Sequence, residues 1–266
     1  MENKRVCVVT GASKGIGLET AKRFIKGGYT VYGLCRTDAD GNGIKYIKCD
    51  VTDENEVRNA FASVAQKEGR IDVVIANAGC GISGAVEAAE TDDVKKQFDV
   101  NFFGVFNTVK SAIPYLRESR GRILAVSSAA ELFPIPFQAF YSASKAAVGN
   151  FIRAVGNEVG RFGVQTGYVL LGDVKTSFTS SRKKDIRLDS VYDGAISRGV
   201  AKMENDEQNG MSPASVAEKI YKYANKKRLP ARKTVGVQYK ALSLLSRLLP
   251  VRLQDRIIGS MYGGKK

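Results

Sequence analysis

Arg5-Val6-Cys7-Val8-Val9-Thr10-Gly11-Ala12-Ser13-Lys14-Gly15-Ile16-Gly17 joins an apolar run to a loop with three glycines. The run Arg5–Thr10 is rich in β-branched residues and does not alternate with polar ones, as expected of a strand buried on both faces. Leu18, Ala21, Phe24 and Ile25 then recur at helical spacing, which predicts a helix over Gly15–Gly27. Strand, tight loop and helix in that order form the first half of a βαβ unit.

The same rhythm continues down the chain. Strands are predicted at Thr30–Cys35, Gly43–Cys49, Arg70–Ala76, Gly121–Ser127 and Val164–Leu170. Helices are predicted at Asp53–Glu68, Val94–Leu116 and Ala139–Phe162. Val57, Phe61, Val64 and Ala65 share one face of the first of these, and Asp53 and Glu54 sit at its positive N-terminus. Strands alternating with helices indicate an α/β domain, a doubly wound parallel sheet covered on both faces. Ser177–Ser212 breaks the rhythm: it is polar, lacks a clear strand, and reads as an insertion over a ligand site. A helix at Pro213–Asn225 follows, with Ser212 as N-cap. Thr234–Tyr239 reads as a last strand, and Lys240–Tyr262 as one or two amphipathic helices broken near Pro250. The expected organisation is one catalytic domain, residues 1–239, with a basic helical extension, residues 240–266.

Composition narrows the chemistry. The 266 residues suffice for one large domain. There is no histidine, which excludes Ser-His-Asp and Cys-His catalysis and imidazole-bound zinc, and no metal site is expected. A general acid must come from Tyr, Lys, Asp, Glu or Cys. Cys7, Cys35, Cys49 and Cys80 form no C-x-x-C pair and read as reduced core residues. The N-terminus runs straight into a strand, which predicts no signal peptide and a cytoplasmic location. The net charge of +14 is uneven: residues 226–266 hold eleven Lys or Arg against Asp255 alone.

Glycines let a backbone turn sharply and approach a pyrophosphate, whose charge is favoured at a helix N-terminus. The spacing here, G-x-x-x-G-x-G, differs from the common G-x-G-x-x-G and lacks the Gly-Lys-Ser/Thr ending of a Walker loop. Alone it fits a structural turn; in the first βα turn of an α/β chain it predicts a dinucleotide site. Lys14 in the loop and Arg36 after the second strand favour NADP(H) over NAD(H), because an arginine accommodates a 2′-phosphate where an acid would hold a free hydroxyl. Asp38 lies close by but further out.

Tyr141 and Lys145 stand four residues apart, roughly one helical turn, and share a face. A nearby ammonium lowers a phenol's pKa from its usual value of about 10 and lets it pass a proton near neutral pH. Ser128 lies thirteen residues before the tyrosine. Each residue alone fits a core tyrosine or a helix cap. Together with the glycine loop they point to a carbonyl oxygen that receives negative charge from a hydride, with Ser128 and Tyr141 as donors to it.

Thr10–Gly17, Asp50-Val51, Asn77-Ala78-Gly79, Asn101, Ser128, Tyr141 with Lys145, and Gly172 through Thr176 occur in the order seen in the short-chain dehydrogenase/reductase family, which the chain resembles over about residues 5–180. Lys14 with Arg36 looks like its NADP-preferring branch, and the length and basic tail are most similar to hydroxysteroid and retinol dehydrogenases. The resemblance implies a Rossmann-like fold with Gly11, Ser13, Lys14, Gly15, Ile16, Gly17 and Arg36 around the phosphates and ribose. It implies Asp50 and Val51 at the adenine, Asn77, Ala78 and Gly79 along the cofactor, and Val174 and Thr176 at the carboxamide. Ser128 would bind the substrate oxygen, Tyr141 would supply its proton, Lys145 would bind the nicotinamide ribose, and Asn101 would hold a water chain to Lys145. A homodimer or homotetramer is also implied. One departure is visible: Leu171-Gly172 stands where the family usually has Pro-Gly, and leucine restores an N–H.

The stretch after Ser128 contains Leu132, Phe133, Pro134, Ile135, Pro136 and Phe137, with Phe178 and Tyr192 in the insertion. Leu132 and Phe133 are the expected substrate contacts, and a bulky apolar carbonyl or alcohol, steroid, retinoid or lipid-like, is the expected small-molecule partner. Packing against the core is the other reading of this patch. The tail either packs on the domain or lies peripherally on a membrane. Nucleic acid is not expected, since no aromatic stacking platform accompanies the charge. A non-catalytic NADP(H) sensor on the same fold is the competing function, but it would have no need of Ser128, Tyr141 and Lys145 together.

Overall fold

The computed structural model describes residues 4–263. In chain order the elements are β1 (Val6–Thr10), α1 (Gly15–Lys26), β2 (Thr30–Cys35), β3 (Lys45–Lys48), α2 (Glu54–Glu68), β4 (Val73–Ala76), β5 (Ile82–Gly84), α3 (Thr91–Phe98), α4 (Gly104–Ser119), β6 (Arg122–Ser128), α5 (Ala139–Val159), β7 (Gln165–Leu171), α6 (Phe178–Ser181), β8 (Lys183–Asp185), α7 (Ala195–Gln208), α8 (Pro213–Ala224), β9 (Arg232–Val235), α9 (Val237–Leu248) and α10 (Val251–Tyr262). Seven strands form one parallel sheet in the order β3-β2-β1-β4-β6-β7-β9. The chain is thus a Rossmann-like, doubly wound single domain.

The unalternated run of β1 explains its central place. Val8 aligns with Tyr32 of β2 on one side and Val74 of β4 on the other. Val6 and Val8 face a layer containing Phe61, Val109 and Ile152 from α2, α4 and α5. Cys7 and Val9 face the opposite layer, with Phe24 of α1 and Val216 and Ile220 of α8. Burying each such side chain contributes roughly 1.5–3 kcal/mol, and a strand with two covered faces gains it at every residue. Helix ends follow local chemistry: Asp53 caps α2 by accepting from Asn55 N at 2.8 Å and Glu56 N at 3.0 Å. Ser212 caps α8 by accepting from Ser215 N at 3.2 Å, and Pro213 opens that helix.

Three expectations change. The helix predicted over Val94–Leu116 is two helices, α3 and α4, joined by a π turn at Asp99–Phe103. The insertion is not irregular: β8 pairs in parallel with β5, and Ile196, Gly199, Val200 and Met203 bury one stripe of α7. Neither short strand carries a periodic signal, because Lys183-Lys184-Asp185 is held by its pairing rather than by apolar alternation. The last strand is Arg232–Val235, and α9 begins at Val237, ahead of the expected boundary.

Candidate active site

A cleft of about 550 Å³ opens at the carboxyl ends of the central strands, where ligands bind in open α/β sheets and where β1 has neighbours from both halves of the winding. It is lined by Gly11, Ser13, Lys14, Gly15, Ile16, Gly17, Arg36, Asp50, Val51, Asn77, Ala78, Gly79, Ser128, Tyr141, Lys145, Val174 and Thr176. These are the residues singled out in the sequence apart from Asn101, Leu132 and Phe133.

The glycine loop is packed as tightly as its composition requires. Gly11 has φ +67°, a left-handed conformation. A Cβ on Gly17 would stand 2.1 Å from the Gly11 carbonyl oxygen and 2.6 Å from Asn77 Nδ2. Thr10 Oγ1 accepts from Asn77 N at 3.0 Å and Ala78 N at 3.1 Å, and Asn77 Nδ2 donates to the Thr10 carbonyl at 2.9 Å. These bonds tie the ends of β1 and β4 together. Arg36 projects just past β2, whereas the Asp38 side chain is 91% exposed, 4.0 Å from Lys48, and outside the cleft. Lys14 Nζ donates to Ser181 Oγ at 3.3 Å, linking the loop to α6.

At the floor, α5 presents Tyr141 and Lys145. Lys145 is 4% exposed, and its Nζ donates to the Val126 carbonyl at 3.0 Å while lying 5.8 Å from the centre of the Tyr141 ring. Burial pushes Lys145 down to about 8, opposed by Cys80 and Glu131. Burial pushes the Tyr141 phenol up to about 12, opposed by the nearby Ser128 hydroxyl and by Arg182. The lowered phenol expected from the sequence is therefore reversed: desolvation outweighs a cation that is itself buried and turned to a backbone carbonyl. Ser128 ends β6, where its Oγ accepts from Ala130 N at 3.2 Å and caps the turn Ala129–Glu131. Ser127 Oγ lies 3.0 Å from Glu131 Oε2, and Tyr168 donates to Glu131 Oε1 at 3.0 Å.

Asn101 is fully buried behind Gly79. Its Oδ1 accepts from Cys80 N at 2.8 Å, and its Nδ2 donates to the Cys80 carbonyl at 3.0 Å and to Ser144 Oγ at 3.1 Å. Ser144 Oγ donates in turn to the Tyr141 carbonyl at 2.8 Å. The π turn thus joins the segment after β4 to the first turn of α5.

The outer wall differs from expectation. Leu132 packs against the core, Phe133 is 8% exposed, and neither lines the cleft; the turn after Ser128 carries both away. Ile135 and Gln138 line it instead. Phe178 does contribute, its ring tilted against Tyr141 at 5.8 Å, whereas Tyr192 packs edge-on against Phe137 and donates to Glu87. Met203 and Glu207 of α7, Tyr239 of α9 and Tyr262 of α10 complete the wall. Arg182, buried under Phe178, pairs with Glu207. The helical stripe of α7 is the one sequence signal that would have placed Met203.

A family model described as short chain dehydrogenase matches residues 5–187. The chain is 38% identical over 236 residues to a 3-ketodihydrosphingosine reductase of Bacteroides thetaiotaomicron, covering 87% of this chain and 88% of that one. Its fold is similar to that of a short-chain dehydrogenase from Streptomyces avermitilis, with TM-score 0.82 and 25% identity over 100% of this chain and 99% of that one. It is also similar to the structure of ElxO with NADP bound, with TM-score 0.75 and 25% identity over 90% of this chain and 99% of that one. The chain therefore belongs to the short-chain dehydrogenase/reductase family of NAD(P)-dependent oxidoreductases.

Proposed function

We propose that this chain is an NADPH-dependent reductase of bulky, lipid-like ketones, with Tyr141 as proton donor. The reading rests above all on Tyr141, which lines the same cleft as Ser128, Lys145 and the Gly11–Gly17 loop. A phenol pushed up to about 12 stays protonated through the neutral range, which suits it to give a proton to a developing alkoxide.

The cradle fits a dinucleotide. Gly11 is left-handed and Gly17 has no room for a Cβ, so the backbone crowds in at the head of α1, where N–H groups lack helical partners. When bound, a reduced nicotinamide supplies the hydride. Arg36 and Lys14 would hold a 2′-phosphate, and no acid from the end of β2 competes for that position. Asp50 and Val51 would flank the adenine, Asn77, Ala78 and Gly79 would line the cofactor, and Val174 and Thr176 would hold the carboxamide. Lys145 would bind the nicotinamide ribose and, as an ammonium below about pH 8, favour charge developing near Tyr141. Ser128 orients the substrate oxygen. Asn101 acts through Ser144 and the Cys80 segment, as a positioning residue.

Ile135, Phe178, Met203 and Tyr262 give the substrate end an apolar character. The relative named for 3-ketodihydrosphingosine favours a lipid-like ketone over a steroid or retinoid. The test is to follow NADPH absorbance against long-chain keto lipids, steroid ketones and short ketones. Turnover is expected with the keto lipids, and Tyr141→Phe should lower it by roughly 10²–10⁴-fold while NADPH binding and thermal stability persist. Undiminished turnover in the variant would sink the assignment. Arg36→Asp should lower the NADPH/NADH selectivity ratio by about tenfold or more, the scale of a lost charge-assisted bond; an unchanged ratio removes Arg36 from cofactor choice.

A further inference from the structure

We propose that the outer face of α9 and α10 docks on the surface of an anionic lipid bilayer. Val237, Ala241, Leu244, Leu245 and Leu248 are exposed on α9 at i, i+4, i+7, i+8 and i+11, a single helical stripe. Leu253, Ile257 and Met261 repeat the pattern on α10 at i, i+4 and i+8. A surface helix of a globular domain turns such a stripe to its core. Here the arrangement is inverted: Leu248 is 71% exposed, and the only fully buried residues of the two helices are Ser243 and Ile258. The two helices are nevertheless fixed to each other, because Gln254 Nε2 of α10 donates to the Ser246 carbonyl at 2.9 Å and the Leu249 carbonyl at 2.8 Å.

Cations flank both stripes. Helical spacing puts Lys240 and Arg247 on one edge of the α9 stripe, and Arg252 and Arg256 beside that of α10. Lys233, at the root of α9, is held below the usual lysine range by burial and then by the charges of Lys226 and Lys240. Over residues 226–266 the only acid is Asp255.

This charge decides the occupant. A second copy of the same face would bring like charges together. An anionic bilayer both accepts the leucines and neutralises the cations, the pattern of helices that lie in the interface. No helix among the described residues is long and apolar enough to cross a membrane, so the contact is interfacial. Tyr239 and Tyr262 lie about half a turn from the stripes on their respective helices and line the cleft. The docking face and the cleft wall are therefore opposite sides of the same two helices.

The test is co-sedimentation of the full chain with vesicles of phosphatidylcholine alone or with added phosphatidylglycerol. Binding should be roughly tenfold or more tighter to the anionic vesicles and fall as salt rises. Leu245→Glu with Leu248→Glu should abolish it, as should Arg247→Glu with Arg252→Glu, while both variants keep wild-type turnover on a water-soluble ketone. Equal binding to both vesicle types, or binding unchanged in both variants, overturns the proposal. So does a wild-type dimer, seen by sedimentation velocity, that the leucine variant splits without any vesicle binding in the wild type, since the face would then be a subunit seam. Vesicle binding is read without turnover, so its failure leaves the reductase reading intact.

Discussion

Helices α5 and α10 are both amphipathic, and they dispose of their two faces in opposite ways. Helix α5 buries Ser144 and the ammonium of Lys145 along with Val148, Ile152 and Val155. Helix α10 buries Ile258 and leaves Val251, Leu253, Ile257 and Met261 in the open. Periodicity alone makes both helical and leaves the orientation of the stripe to tertiary packing. The teaching is in the misfits. A charge kept inside at an energetic cost marks chemistry, and apolar surface kept outside marks a contact.

The contrast can be broken or sharpened by substitution. The largest effect is expected at Lys145→Met. Turnover should fall on the order of 10²–10³-fold, the scale of losing one preorganised electrostatic group, while the chain unfolds no more easily than the wild type, because an apolar side chain replaces a buried cation. A marked drop in melting temperature would show Lys145 to be structural instead. Next is a pair of truncations. Ile152→Ala on α5 should cost about 2–5 kcal/mol, while Leu248→Ser on α9 should stay within about 0.5 kcal/mol; similar values in denaturant titrations would erase the distinction between the two surfaces. The smallest effect is in pH. Lys145 titrates at about 8 when folded against its ordinary 10.5, so between these values the unfolded chain holds more protons and this group's contribution to stability rises with pH. The stability advantage of Lys145→Met should therefore narrow from about pH 8 upward; a gap that stays constant or widens contradicts the burial of this charge.

Much of the fold and most of the cleft were legible, for reasons that differ by residue. Strand β1 and the loop to Gly17 are readable because two-sided burial and close backbone approach each demand particular residue types. Tyr141 and Lys145 are readable because one helical turn sets their spacing. The sign of the Tyr141 shift was not, since desolvation depends on what the fold stacks around the hydroxyl. The apolar stretch after Ser128 misled at Leu132 and Phe133, because its direction is set by the Ala129–Glu131 turn, which has no periodic signature. Tyr239, Met203 and Tyr262 reach the cleft from elements far along the chain, and no local pattern announces that meeting.

The π turn at Asp99–Phe103 can be viewed as a phase error that the molecule keeps. Each α-helical residue advances the helix by about 100°, so one extra residue rotates everything after it by that amount. It lets α3 and α4 address different neighbours from what reads as one continuous helix: α3 touches β5 and α5, while Val105, Val109, Ala112 and Leu116 of α4 face the core beneath the sheet. Residue 101 sits at the point of mismatch, which is where a side chain can bond both polar groups of Cys80. A perfectly regular helix over Val94–Leu116 would match the expected periodicity better and would hold Asn101 out of phase with the site.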